Sequence, residues 1–352
     1  MTANRDLKFI IRDRQRKTGE SYTAARAHVM RERAQLLGLA SEPAPVEPAQ
    51  LVDAAVLKVG SNTARLRILG ESEQVTLRSG EAFNLAPGQI VTLRLAKRWT
   101  FRGDAYVSGS IDRARIDVAR LGLEPLPLEG GELENLRARG EHYRRPDPYA
   151  PLWRELTAAP RPSYEMDGIA WGAFPGDEPD DNPTCEAAER KDAGDLDGAR
   201  DLLMDTLLRD LRCLDAHAHL GNLLFEGSPI RAIVHYEIGV RIGELSLPTS
   251  FDGVLQWAGL YNRPFLRCLH GHTLCLWRLG RTEEALRGFE RILSLNPDDN
   301  QGVRFCWHDV REGITWEAAQ LRDDLAYAQQ AETARKSRAR RSQATTDDPR
   351  LN

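Results

Sequence analysis

"LGRTEEALRGFERILSLNP", residues 279–297, carries the punctuation of a complete helix. Gly280 marks a break, Thr282 with Glu283 and Glu284 opens a new element, and Asn296-Pro297 closes it. Between them Ala285, Phe289 and Ile292 fall on one helical stripe. Glu283 and Arg287, four apart, form a favourable pair on the exposed side. Ala285 is small where a second helix crosses closely, and Phe289 is large enough to fill the gap to a neighbouring hairpin. One hairpin of this kind cannot bury both faces, so the stretch predicts a stack of similar units.

The same punctuation recurs upstream. Gly194 precedes Ala199 as Gly280 precedes Ala285, and between them stand Leu220-Gly221, Ala232 and Tyr236. The pattern resembles the tetratricopeptide repeat (TPR), a helix-turn-helix unit of about 34 residues. The match is best in the third unit, where Thr273, Leu276, Ala285, Phe289, Ile292 and Pro297 fall at the family's spacing. The second unit keeps Leu220-Gly221, Ala232 and Tyr236 but has no closing proline, and the first rests on its glycine-to-alanine spacing. An insertion over 245–265, "LSLPTSFDGVLQWAGLYNRPF", separates units two and three. The resemblance implies a helical-repeat domain over 185–325, capped by a helix running from Gln301 through Val303, Phe305, Cys306 and Val310. It also implies a groove, lined by first helices, that binds a peptide or a partner domain. His219, Asn222 and His272 become candidate partner-binding residues, and Asn222 falls where some members hold a ligand backbone. Tyr261, Asn262 and Arg267, with Trp257 nearby, are a residue mix suited to a binding surface. Trp257 is equally accounted for as core. Members that grip a terminal carboxylate also use lysine, and Lys191 is the only lysine of this domain, so that mode is not implied.

The rest of the chain is organised differently. At 352 residues, 41% hydrophobic and 28% charged, it is long enough for several units with real cores. The net charge of −4 does not mark the whole protein as a nucleic-acid binder. Residues 1–38 read as a basic helical hairpin, with Leu7, Ile10 and Ile11 on one stripe and Tyr22, Ala25, Val29 and Leu36 on another. Gly19, in "RKTGES", makes the break between them. Arg12, Arg16 and Lys17 are candidate phosphate contacts, against the alternative of a solvated pair docked on the chain. Residues 39–50 are a stiff proline-rich linker.

From 51 to 127 the period becomes two, and "DAAVLKV", "ARLRIL", "EQVTLR", "IVTLRL" and "DAYVSGS" predict a small five-stranded barrel, OB-like or SH3-like. In "AKRWTFRGDAY", Trp99 and Phe101 alternate with Lys97, Arg98 and Arg102. Arg98, Trp99 and Arg102 are therefore candidate nucleic-acid contacts, although Trp99 and Phe101, two apart in a strand, more often share the barrel interior. Residues 128–184 are rich in breakers and read as an extended acidic connector packed through Trp153, Tyr164 and Trp171. Its acids Asp177, Glu178, Asp180 and Asp181 read as a solvated run. Residues 326–352, with "RKSRARRSQ", read as a flexible basic tail.

Enzyme signatures are missing: there is no GxxxxGK, GxGxxG, HExxH or GxSxG. "HYE" at His235 and Glu237 lacks the P-C-x-x-C partner of a zinc deaminase. His217 with His219, and His270 with His272, are two apart and diverge on a helix, so neither is a ready metal clamp. Cys268 and His272, four apart, remain a weak metal candidate, and no cofactor or metal is expected. The five scattered cysteines read as reduced thiols. No apolar leader or run of about 18 apolar residues points to a signal peptide or a membrane span, and the cytoplasm is the expected location. The expectation is a multi-domain α+β protein, non-enzymatic, an adaptor whose repeats bind a protein or peptide. The alternative is a nucleic-acid-associated factor that uses the hairpin and barrel to contact RNA or DNA.

Overall fold

The computed structural model describes residues 3–18, 21–36, 51–134, 150–178 and 181–346, and the chain divides into two compact units, Met1–Gln50 and Leu51–Asn352. The linker expected at 39–50, the break at Gly19 and the carboxylate of Asp180 lie outside the described residues.

The first unit pairs α1 (Ala3–Thr18) with α2 (Tyr22–Leu36). Ile11, Ala25 and Val29 form its buried core, with Leu7 packed against them. Ile10 and Tyr22, expected on the apolar stripes, are 51% and 39% exposed. Two helices share one seam, and Ile10, about 100° round the helix from Ile11, falls off it.

The second unit begins with the barrel. Its strands are β1 (Leu51–Val59), β2 (Thr63–Ile68), β3 (Gln74–Arg78), β4 (Gln89–Phe101) and β5 (Asp104–Ile116). They close in the order β1-β2-β3-β5-β4, with β4 returning antiparallel to β1 and with β3 and β5 parallel. In β2, β3 and the first half of β5 every second residue points inward; Leu66, Val75, Leu77 and Val107 there, and Ile90 and Leu93 of β4, are fully buried. Asp53 accepts from Arg115, Thr92 and Arg120 across this sheet, and those bonds hold its carboxyl well below the usual range.

Within 128–184, the described residues 128–134, 150–178 and 181–184 form more regular structure than an extended connector. β6 (Leu128–Glu134) pairs antiparallel with β7 (Arg161–Met166), α3 covers Ala150–Leu156, and a 3-10 turn spans Gly168–Trp171. Among the described breakers, Gly130 and Gly131 are both at positive φ and sit at the bulge in the β6–β7 pairing. β7 also bonds through Tyr164 N and Pro162 O to Val254 of the insertion. The ring of Tyr164 packs on Phe251 and that of Trp171 on Tyr261, as their aromatic character suggested. The Trp153 side chain lies outside the described residues.

The remaining elements are helical: α4 (Pro183–Asp192), α5 (Leu196–Arg209), α6 (Leu214–Phe225), α7 (Pro229–Glu244), α8 (Arg263–Arg278), α9 (Thr282–Leu295), α10 (Val303–Arg311) and α11 (Trp316–Thr346). From α4 to α10 each helix packs on the next, except that the insertion lies between α7 and α8, which still touch; α6 also meets α8. The opening stretch is α9. Gly280 turns at φ 73°, Glu283 and Glu284 occupy the first turn, and Ala285, Phe289 and Ile292 are buried. Closing residue Asn296 accepts a bond from Trp257 N and so also anchors the insertion. The tail expected to be flexible from 326 is instead helical to Thr346. Alanine, glutamine and arginine favour helix there, and Glu332 pairs with Lys336 one turn on.

Barrel and helices share one unit. Arg200 on α5 donates to Val59 O, Arg231 on α7 to Phe83 O, and Lys58 on β1 pairs with Asp205. Gly88, at φ 92°, lies where a Cβ would come within 2.5 Å of Ile238.

Candidate functional site

Two of the candidate partner-binding residues, Asn222 of α6 and Arg267 of α8, line one pocket of about 160 Å³ with Phe225, Tyr236, His270 and Gln301. The backbone makes this meeting possible. Gly221 and Gly271 face the Tyr236 ring so closely that a Cβ on either would sit 2.5 or 2.2 Å from it. The ring therefore stands between α6 and α8, and its hydroxyl donates to Asn222 Oδ1 at 2.6 Å. Among the described residues, Asn222 Nδ2 has no protein acceptor.

Arg267 is held just as firmly. Its Nη1 donates to both oxygens of Asp215, at 2.7 and 2.9 Å, and its guanidinium lies over Trp257. Asp215 is buried, accepts also from Thr184, and has His219 Nε2 at 3.6 Å. Burial pushes its carboxyl up, but His219 and Arg267 outweigh that and hold it below the usual range. His219 thus stands beside Arg267 through a shared carboxylate. Arg267 keeps Nε and Nη2 without a protein acceptor among the described residues.

Behind this pair, Gln301 Nε2 donates to Leu266 O and approaches His270 Nδ1, each at 3.4 Å. His270 Nε2 and Gln301 Oε1 are both buried without a partner among the described residues. Burial lowers the His270 pKa from 6.5 to about 4, so the imidazole is neutral at pH 7.

The other candidates lie elsewhere. Asn262 is 1% exposed; it accepts from Met166 N and donates to Tyr164 O and Gln256 O, which makes it a pin between β7 and the insertion rather than part of a surface. Tyr261 is half-buried against Trp171 and donates its backbone N–H to Glu165. His272 has Glu237, Arg241, Arg281 and Glu284 as its charged neighbours, away from the Asn222 pocket, and burial lowers its pKa. The paired histidines diverge as their spacing requires. Among the described residues no group of three His, Cys, Asp or Glu could hold a metal ion, and Cys268 donates to Leu214 O instead. The five cysteines are free thiols.

On the barrel, β4 and β5 run on as a ribbon, and the expectation that Trp99 and Phe101 lie in its interior is overturned. Trp99 is half-buried on the outer side, stacked on Tyr106 with centroids 5.6 Å apart and planes at 14°, and Phe101 is 53% exposed. Lys97 and Arg102 lie over the Trp99 and Phe101 rings. Arg98 points to the opposite side and pairs with Glu71 and Glu73, which raise its pKa. On α1, Arg12 is exposed with no ion pair among the described residues, whereas Arg16 and Lys17 both pair with Asp13.

Sequence reading missed His270 and Gln301 as members of this pocket, Asp215 as the carboxylate that holds Arg267, and Arg78 and Tyr106 as neighbours of Trp99. The tyrosine had a signal, since "DAYVSGS" alternates and puts Tyr106 opposite in phase to Val107. No helix long and apolar enough to cross a membrane occurs among the described residues. Compared with known proteins, the chain matches no protein-family model, no curated protein and no solved structure.

Proposed function

We infer that the chain is a non-enzymatic cytoplasmic adaptor. On this reading α4 to α9 are TPR-like repeats, and a protein or peptide partner is held at the pocket between α6 and α8. The observation that carries it is a pair of donors fixed before any ligand arrives: Asn222, oriented by Tyr236, and Arg267, oriented by Asp215 and Trp257. Such groups bind an acceptor without first losing side-chain freedom. Phe225 and Leu274 give the same pocket an apolar wall.

Size favours a partner over a metabolite. Ligand pockets for small molecules commonly span about 300–1,000 Å³, whereas this one, at about 160 Å³, suits a single anchoring side chain of something larger. The free thiols fit a reducing compartment.

The test is isolation of the tagged full chain from its native cytosol beside Asn222→Ala and Leu274→Glu variants. One protein recovered in stoichiometric amount with the parent chain, and lost with both variants, is the expected result. Equal recovery with all three chains sinks the groove reading.

A further inference from the structure

A second surface, independent of the groove, lies on the outside of the barrel. In β2, β3 and β5 the residues Ala64, Leu66, Val75, Leu77, Ala105 and Val107 are buried. Their alternate neighbours Arg65, Thr76, Arg78, Tyr106 and Ser108 therefore point outward. The register sets these in rows. Trp99 faces Tyr106, which faces Thr76, which faces Arg65; the next row runs Lys97, Ser108, Arg78, Thr63.

Across these rows lies one continuous stack. Lys97 Nζ is 5.7 Å from the Trp99 centroid, Trp99 stacks on Tyr106, and Arg78 Cζ is 5.1 Å from the Tyr106 centroid. Phe101 extends the aromatic line at the ribbon tip, with Arg102 over it. Asp104, opposite Phe101, is the carboxylate on this side of the tip, while Glu71 and Glu73 are engaged by Arg98 on the other side.

We propose that this face binds single-stranded nucleic acid, with Arg78 and Lys97 on phosphates and with Trp99 and Phe101 against unpaired bases. Arg65, Arg78, Lys97 and Arg102 outnumber Asp104, so the ligand is an anion with repeated charge. A guanidinium stacked on a ring keeps its N–H edge free for phosphate oxygens. Lys97 and Arg102 cover their rings from the ends of flexible chains; each can swing to a phosphate as a base takes its place on the ring. Bases in a duplex are already stacked and paired, and cannot reach these rings. An acidic peptide would satisfy the cations but leave the ring faces unused.

The experiment titrates the full-length chain into a labelled oligothymidylate at several salt concentrations, reading anisotropy. Arg78→Gln with Lys97→Gln should lower the slope of log affinity against log salt by about 1.4, since each single-strand phosphate contact contributes about 0.7. Trp99→Ala should weaken binding about fivefold or more at every salt concentration. Arg98→Gln should leave binding unchanged, and a duplex of matching length should compete poorly. Four results would overturn the proposal: no binding, equal affinity in the charge and ring variants, loss confined to an Arg12→Gln, Arg16→Gln, Lys17→Gln chain, or competition by polyglutamate as effective as by the oligonucleotide. Asn222→Ala should bind the oligonucleotide normally, so failure of the groove reading leaves this test intact.

Discussion

Three buried imidazoles make the stability of this fold steeply dependent on pH between 7 and 5. His217 and His235 lie where the helices meet the barrel: a Cβ on Gly88 would touch His217, and His235 has Arg200 and Arg231, both bonded to barrel carbonyls, among its charged neighbours. Burial lowers their pKa values from 6.5 to about 4 and about 3, with repulsion from His217, Arg200 and Arg231 adding to the effect at His235, and lowers that of His270 to about 4. The unfolded chain binds these protons at pH 5 and the folded chain does not, so stability is full above pH 6.5 and falls with pH toward the folded values. At pH 5 each group then removes about 2 kcal/mol, and the result hardly depends on the folded pKa once it lies near 4 or below. Three such groups approach the whole net stability of a typical protein, about 5–15 kcal/mol. Urea unfolding followed by tryptophan fluorescence at pH 7 and pH 5 measures the loss. In His235→Leu the difference between the two pH values should shrink by about 2 kcal/mol. An undiminished pH dependence in that variant would refute the assignment of the loss to this buried ring.

Three substitutions test the packing of the groove and of the insertion. Asn262→Ala strands Met166 N, Tyr164 O and Gln256 O and should destabilise by about 3 kcal/mol, read from urea midpoints. Gly271→Ala drives a methyl into the Tyr236 ring, which Gly221 prevents from retreating; a loss of about 2–3 kcal/mol is expected, with the Asn222 amide resonance shifted in NMR spectra. Arg161→Met removes donors to Asp252 O, Gly253 O and Ser294 O; thermal unfolding should fall and proteolysis should begin within the insertion.

What could be read in the chain follows the range of the forces involved. Ala285, Phe289 and Ile292 were legible because helix periodicity is local, and the barrel strands were legible because alternation is local too. Whether Trp99 is inside or outside was not, because β4 and β5, at 13 residues each, outrun the barrel they help close. Alternation gives a residue's side of the strand, not whether anything covers that side. Asn262 misled for a related reason. Grouped with Tyr261 and Arg267 it reads as surface, yet its partners Tyr164 and Met166 lie almost a hundred residues earlier, and such pairings leave no periodic trace.

The two candidate surfaces depend on long-range pairings to different degrees, and the sequence announced them unequally. The groove needs Tyr236 between two glycines on different helices, and Asp215 beneath Arg267. Each is a long-range coincidence that a repeat pattern suggests but cannot fix. The barrel face needs β3 beside β5 to bring Arg78 next to Tyr106, a parallel pairing that no hairpin signal encodes. Polar side chains in both places are held by neighbours rather than by solvent. A surface folded only for solubility would leave them free, because ordering a long side chain costs about 1–2 kcal/mol of entropy. Arg267 between Asp215 and Trp257, and Arg78 against Tyr106, are cations fixed in advance, one at each candidate surface.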